Sequence, residues 1–288
     1  MFYLMLSVLI SSLLFVIFKL FDVFKVNTLQ AIVVNYLIAL TFGYFSSEVS
    51  LEIVEVSNQP WFIGAFLLGF LFISVFNIMA ITAQKNGLTV ASVAGKMSVV
   101  IPVVFGIIVY HESVGVVKII GIALALVAVY LSSAKSDSNP VKFKNLLFPL
   151  LLFVSSGVID TSIKYVESNF VPDGEVPLFL ATIFTCAFVL GAFFLIIQMI
   201  NGRFVFHWKN IVGGIALGVP NYYSMVFLLK ALQTKGMESS TLFTINNVSI
   251  VILTTVFALF FFKEKLIKKN WIGIALAVIS ILLVVSAT

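Results

Sequence analysis

The sequence predicts an all-α integral membrane protein of ten transmembrane helices, built as two inverted five-helix repeats. Three observations predict it: the composition, ten apolar runs of spanning length, and the self-similarity of the two halves. Of 288 residues, 61% are hydrophobic and only 10% are charged. A soluble domain is nearer half apolar and a quarter charged. A chain this apolar cannot cover itself with polar surface, so the bilayer must serve as solvent for much of it. The net charge of +5 would suggest acidic partners in a soluble chain. Here basic residues in short loops set membrane orientation instead, and no nucleic-acid partner is expected. The single cysteine, Cys186, lies in an apolar run and excludes an internal disulfide.

A spanning helix needs about 20 mostly apolar residues. Ten segments qualify: 2–21, 29–47, 60–84, 88–110, 115–134, 145–166, 176–200, 210–233, 237–262 and 270–287. The first has no basic flank and no small-residue cleavage site, so it is expected to be a retained helix rather than a signal peptide. Polar stretches separate the spans at Ser47–Gln59, Ser133–Lys144 and Glu167–Glu175. The middle one, with Lys135, Ser136, Asp137, Ser138, Asn139 and Pro140, suits a linker between halves. The expected organisation is therefore a first repeat over 1–134, a linker over 135–144 and a second repeat over 145–288. Trp61, Trp208 and Trp271 each open a span, the position of an interfacial aromatic belt. Pro102 and Pro220 fall within spans and are candidate hinges, tolerated in lipid where neighbours satisfy the freed carbonyl.

The repeat is visible residue by residue. Glu112 precedes Gly121-Ile122-Ala123-Leu124-Ala125 by the same spacing that separates Glu264 from Gly273-Ile274-Ala275-Leu276-Ala277. Gln84-Lys85-Asn86-Gly87 likewise answers Gln233-Thr234-Lys235-Gly236. An odd number of spans per half turns the second half upside down, which is the architecture of many secondary transporters.

These residues also carry a family resemblance. A glutamate between the fourth and fifth spans, a Gly-rich fifth span, the same element again in the second half, and the proline in Val99-Val100-Ile101-Pro102-Val103-Val104 together resemble the EamA-like branch of the drug/metabolite transporter superfamily. Thr254 stands where Pro102 has its counterpart, and the first span lacks the Trp-Gly pair often seen there. The resemblance covers essentially the whole chain. It implies eight helices around a central cavity, the fifth and tenth spans packed outside it, and export or exchange of small metabolites across a bacterial inner membrane.

Loop charges give an orientation. Connections after odd-numbered spans hold twelve Lys and Arg residues and the others hold four, with Lys96 inside a span. The positive-inside rule then puts both termini outside the cytoplasm, whereas the resemblance implies both inside.

Lys96 is the most informative polar residue. It lies about 13 Å of helical rise into the fourth span, near the middle of a ~30 Å core. A lysine there costs about 2.5–3.5 kcal/mol on the insertion scale, so it should face a cavity or a partner. Its neighbours Ala91, Ser92, Ala94, Gly95 and Ser98 are small and permit close helix approach. It could hold a substrate carboxylate or phosphate, or pair with an acid such as Asp160. Asp160 and Lys164 sit four apart on the sixth span and share a face. An Asp160 opposite Lys96 would couple proton or counter-ion movement to transport. Asn35, Asn77, Asn221, Tyr222, Tyr223, Asn246 and Asn247 are further polar residues within spans, and helix–helix hydrogen bonding accounts for each taken singly. Asn77, Tyr222, Tyr223, Asn246 and Asn247 carry more weight, because the resemblance lines the cavity with their spans. Glu112 and Glu264 are read as caps at the starts of the fifth and tenth helices.

His111 and His207 are isolated, and no HExxH, P-loop or GxSxG motif occurs. No cofactor and no catalysis is expected. The function expected is a secondary, non-ATP-driven carrier for a small polar solute such as an amino acid or organic anion. A flippase for a lipid-linked head group is the alternative within transport. A membrane sensor or intramembrane enzyme is the alternative outside it, but the chain shows neither an output domain nor an activated nucleophile.

Overall fold

The computed structural model describes residues 2–47, 53–109, 115–134, 143–172, 174–232 and 239–286. Among them every regular element is a helix. In order these are α1 (Phe2–Val23), α2 (Thr28–Phe45), α3 (Ile53–Ser57), α4 (Phe62–Lys85), α5 (Leu88–Met97), α6 (Val100–Val109), α7 (Val116–Ser132), α8 (Phe143–Phe170), α9 (Val176–Ile200), α10 (Trp208–Leu232), α11 (Ser239–Phe260) and α12 (Lys268–Ser286). Among the described residues seven helical segments are long and apolar enough to cross a membrane: Phe2–Val23, Thr28–Phe45, Phe62–Lys85, Leu88–Phe105, Phe143–Glu167, Val176–Ile200 and Trp208–Leu228. Helices α7, α11 and α12 occupy the positions of the remaining three expected spans. Large apolar side chains such as Phe45, Ile200 and Phe260 stand exposed on the helices. That inverts the economy of a water-soluble protein and fits a hydrocarbon solvent.

The fourth expected span is broken. It consists of α5 and α6, separated at Ser98–Val99. Pro102 is the cause: it has no N–H for the Ser98 carbonyl. That carbonyl instead accepts the Ile101 N–H at 2.9 Å, a tighter turn than an α-helix makes. The Ser98 hydroxyl donates to the Gly95 carbonyl at 2.6 Å and satisfies a second acceptor at the break. Pro220 has no such effect, and α10 runs through it unbroken. A short helix, α3, also lies in the stretch expected to be a polar connection.

The chain divides into two compact units. The first comprises Met1–Lys19, Ile78–Val158 and Tyr223–Thr288; the second comprises Leu20–Asn77 and Ile159–Tyr222. The expected linker falls mostly on residues 135–142, outside the described residues.

In the first unit, α7 and α12 pack through the two repeated pentapeptides. A Cβ built on Gly121 would meet Val284 Cγ2 at 2.7 Å and the Ser280 carbonyl at 3.3 Å. One built on Gly273 would meet Ser132 N at 2.7 Å and the Ala128 carbonyl at 3.0 Å. Glycine is required at both because a side chain would strike backbone. The contacts are reciprocal: Ala128 and Ser132 stand to Gly121 in the chain as Ser280 and Val284 stand to Gly273. Each glycine, near the start of its helix, touches the far end of the other helix, so the pair runs antiparallel. The Ser280 hydroxyl donates to the Gly121 carbonyl at 2.7 Å, and Asn270 Nδ2 donates to the carbonyls of Ser132 and Ala134 at the end of α7.

The second unit repeats the device. Gly43 of α2 lies against Ala181 of α9, and Gly191 of α9 lies against Val33 of α2. Gly69 of α4 lies against Cys186 and the Ile183 carbonyl of α9. Gly218 of α10 lies against Ile38 and the Asn35 carbonyl of α2. Advancing the first-half positions of each pair by 148 or 149 residues yields the second-half positions. Tyr36 and Phe184 correspond in the same way, and their rings stack at 6.1 Å.

Candidate functional site

In the first unit Lys96 occupies the last turn of α5, where the negative end of the helix dipole favours a cation. It is half-buried and stands two residues before the break. Ser92 and Ser98 beside it are buried. A side chain on Gly95 would only reach ordinary contact with Phe15, at 3.7 Å, so the helix surface next to Lys96 is not tightly sealed.

The other end of α5 is held by Glu264. Its carboxylate accepts the Leu88 N–H at 2.7 Å and lies 3.5 Å from the Thr89 hydroxyl. A carboxylate on the unpaired N–H groups of a helix start is favourable on both hydrogen-bonding and dipole grounds. Gly87, with φ +111°, lets the chain pass beneath it; a Cβ there would come within 3.0–3.2 Å of the carboxylate. This corrects the sequence expectation. Glu264 caps α5, not the tenth span, and the turn into α12 is instead closed by Asn270 Oδ1 accepting the Ile267 N–H at 2.9 Å. Glu112 and His111 lie outside the described residues.

Asn246 and Ser7 form a buried seam between α11 and α1. The Ser7 hydroxyl lies 3.2 Å from Asn246 Oδ1 and 3.4 Å from the Ser224 carbonyl of α10. Asn246 therefore joins helices, the role expected of a membrane asparagine taken singly. Asn247 is half-buried on α11. Tyr223 is half-buried and stacks on Phe227 at 5.8 Å. A groove of about 440 Å³ lies in the same unit, lined by residues including Phe2, Met5, Leu9, Ile245, Ser249 and Leu253. It is apolar, and no predicted site residue lines it.

In the second unit Asn77 donates to the Ile73 carbonyl of its own helix at 2.7 Å. Tyr222 is buried and stacks on Phe42 at 5.6 Å. Asp160 is exposed on α8, and the Lys164 side chain lies outside the description. Lys96 and Asp160 belong to different units.

Three features of the second unit escaped the sequence reading. Trp61 is not an interfacial anchor. It is fully buried, packs edge-on against Phe179, and donates its indole N–H to Glu175 Oε2 at 3.2 Å. The other two tryptophans, Trp208 and Trp271, are exposed as a belt requires. Next, Asn210 Oδ1 accepts the Asn27 N–H and Asn210 Nδ2 donates to Gln30 Oε1, while Gln30 Nε2 donates to the Val205 carbonyl. That network is satisfied and ties the start of α2 to the start of α10. The third feature is Asn35, whose side chain was expected to bond another helix. Both amide atoms are buried without a hydrogen-bond partner among the described residues, and so is the hydroxyl of adjacent Tyr36. No signal in the local sequence separates this asparagine from the bonded ones.

Among the described residues no group of His, Cys, Asp and Glu could hold a metal ion. A sequence profile of the EamA-like transporter family matches residues 144–286. An uncharacterized protein of Haemophilus influenzae is 31% identical over 254 residues, covering 85% of this chain and 84% of that one. A solved crystal structure superposes with a TM-score of 0.57 over 96% of each chain at 16% identity, a likeness of fold.

Proposed function

We infer, for a chain that belongs to the EamA-like transporter family of the drug/metabolite transporter superfamily, that it is a secondary carrier working by alternating access. Its cargo on this reading is a small polar metabolite, an amino acid or organic anion, exported or exchanged across a bacterial inner membrane. The observation that carries the reading is the break of the fourth span at Ser98–Val99 beside Lys96. Transporters commonly bind substrate near the bilayer midplane with discontinuous helices, whose unwound backbone and helix ends offer polar groups inside the membrane. A lysine in the last turn before the break adds a full positive charge suited to a carboxylate or phosphate.

The reciprocal glycine contacts support ten spans in two inverted repeats. An exchange of roles between two halves, so that the site opens to either side in turn, needs related surfaces that meet about a two-fold axis. Gly121 with Gly273, Gly43 with Gly191, and Gly69 with Gly218 have that relation. The remaining pathway residues on this reading are Asp160, Asn77, Tyr222, Tyr223, Asn246 and Asn247, with Pro102 and Pro220 as hinges. Lys96 is the first residue to test, because it stands in the last turn before the break.

The test is flux in vesicles reconstituted with the purified chain, using a panel of radiolabelled amino acids and organic anions. Lys96→Ala should abolish flux while the variant elutes and unfolds as the wild type does. Undiminished flux would remove Lys96 from the pathway.

A further inference from the structure

The second unit contains a polar spot that the internal symmetry does not require. Asn35 and Tyr36 sit near the middle of α2, the eighth and ninth of its 18 residues. Both are wholly buried, and among the described residues neither the Asn35 amide nor the Tyr36 hydroxyl has a hydrogen-bond partner. Their counterparts in the other half are apolar. Asn35 corresponds to Ile183 and Tyr36 to Phe184 of α9, by the same displacement that relates Gly43 to Gly191. Asn221, one turn beyond Gly218 on α10, corresponds to Phe72, one turn beyond Gly69 on α4. Phe72 packs edge-on against Phe184 at 5.9 Å. Gly218 rests on the backbone of Asn35 as Gly69 rests on that of Ile183. One side of the pseudo-symmetric core is thus a cluster of Ile183, Phe184 and Phe72, and the other offers Asn35, Tyr36 and Asn221 at the same positions.

Packing cannot account for this. The apolar version of the same geometry exists in the same molecule and closes well. A buried polar group without a partner carries its full desolvation cost, and in a bilayer no solvent reaches it from the lipid side. In the same unit the Asn27–Gln30–Asn210 network shows buried amides with their partners in place.

We propose that Asn35 and Tyr36 form a subsite, closed in this state, for a neutral hydroxyl or carboxamide group of the transported solute. The Asn35 amide offers two N–H donors and a carbonyl acceptor, and the Tyr36 hydroxyl offers one of each. That set matches a neutral group that both donates and accepts. It has no charge to neutralise an anion or a cation. While the subsite is closed its hydrogen bonds stay unmade, and a bound solute supplies the missing partners when α2 and α10 part. Which ligand binds rests on the carrier reading; whether these groups bind one does not, and the test needs no gradient.

The test uses the purified full chain in detergent and the substitutions the molecule's own symmetry provides, Tyr36→Phe and Asn35→Ile. Unfolding temperatures are measured alone and with a panel of neutral polyols and primary carboxamides, with acetate and phosphate for comparison. Without ligand, Tyr36→Phe should unfold about 2–4 °C higher, because an unsatisfied group has gone. At least one neutral compound should raise the wild-type unfolding temperature, and both variants should lose that rise. A lower unfolding temperature for Tyr36→Phe would overturn the proposal, since the hydroxyl would then have a partner. So would a neutral-ligand shift that survives in the variants, or a wild type that responds to no neutral compound. Should Asn35→Ile fail to fold, Tyr36→Phe carries the test alone, because it changes one atom. Loss of this subsite would leave the flux test on Lys96→Ala standing.

Discussion

Glu264 illustrates how one carboxylate acts far from its own place in the chain. It reaches back 176 positions to the first amide of α5, the helix whose last turn bears Lys96. A capping acceptor is worth about 0.5–2 kcal/mol, so Glu264→Ala should lower unfolding stability by about 1 kcal/mol. Glu264→Gln keeps an acceptor oxygen and should lose less; denaturant titration of both variants in one detergent compares them. Gly87→Ala should cost at least as much, because its φ of +111° disfavours any Cβ and the carboxylate leaves no room for one. Lys96 stands on different ground: a lysine within a membrane span is a cost to folding, so its removal should harm flux and leave stability intact.

At the scale of elements, close helix approach at glycine is the organising device. In lipid no hydrophobic force drives helices together, so close packing and hydrogen bonds must do it. Gly121 and Gly273 bring α7 and α12 near enough for Ser280 to donate to a backbone carbonyl. Gly121→Leu and Gly273→Leu should each reduce the yield of monodisperse protein, with overpacking costs of about 1–3 kcal/mol. Because the two contacts are reciprocal, each single variant should be about equally damaging, measured by size-exclusion yield and thermal unfolding. The α5–α6 break is the other element-scale feature. Pro102→Ala restores an N–H and permits a continuous helix. The variant should be as stable as wild type or more so, with slower flux in vesicles, because the freed backbone beside Lys96 is closed up.

The whole molecule raises energy and orientation. Transport against a gradient needs a source, and the sequence holds no nucleotide-binding motif. If protons drive it, a protonophore should collapse accumulation in vesicles; flux that persists identifies exchange or facilitated movement. The excess of lysine and arginine in connections after odd-numbered spans predicts, by the positive-inside rule, a C-terminus outside the cytoplasm. A C-terminal alkaline phosphatase fusion should then be active and a fluorescent-protein fusion dark. The reverse pattern would favour the orientation that the family resemblance implies.

Composition and ten apolar runs were enough to determine the solvent, because a helix crossing lipid must satisfy its backbone internally and be apolar over about 20 residues. Those are one-dimensional properties. The twin glutamate–GIALA elements are likewise legible in the chain itself, as is Pro102, the candidate hinge that lies just past the break in the fourth span. What the sequence left open was every choice of distant partner. Trp61 looked like Trp208 and Trp271 until Glu175 and Phe179 enclosed it. Asn35, Asn77 and Asn246 are alike as isolated residues, yet Asn77 bonds its own helix, Asn246 bonds another, and the Asn35 amide has no partner among the described residues. Glu264 was recognisable as a cap, but only the folded chain decided which helix it caps. The reason is physical: hydrogen-bond partners in a bundle are set by which faces meet, and helical periodicity fixes only which residues share a face.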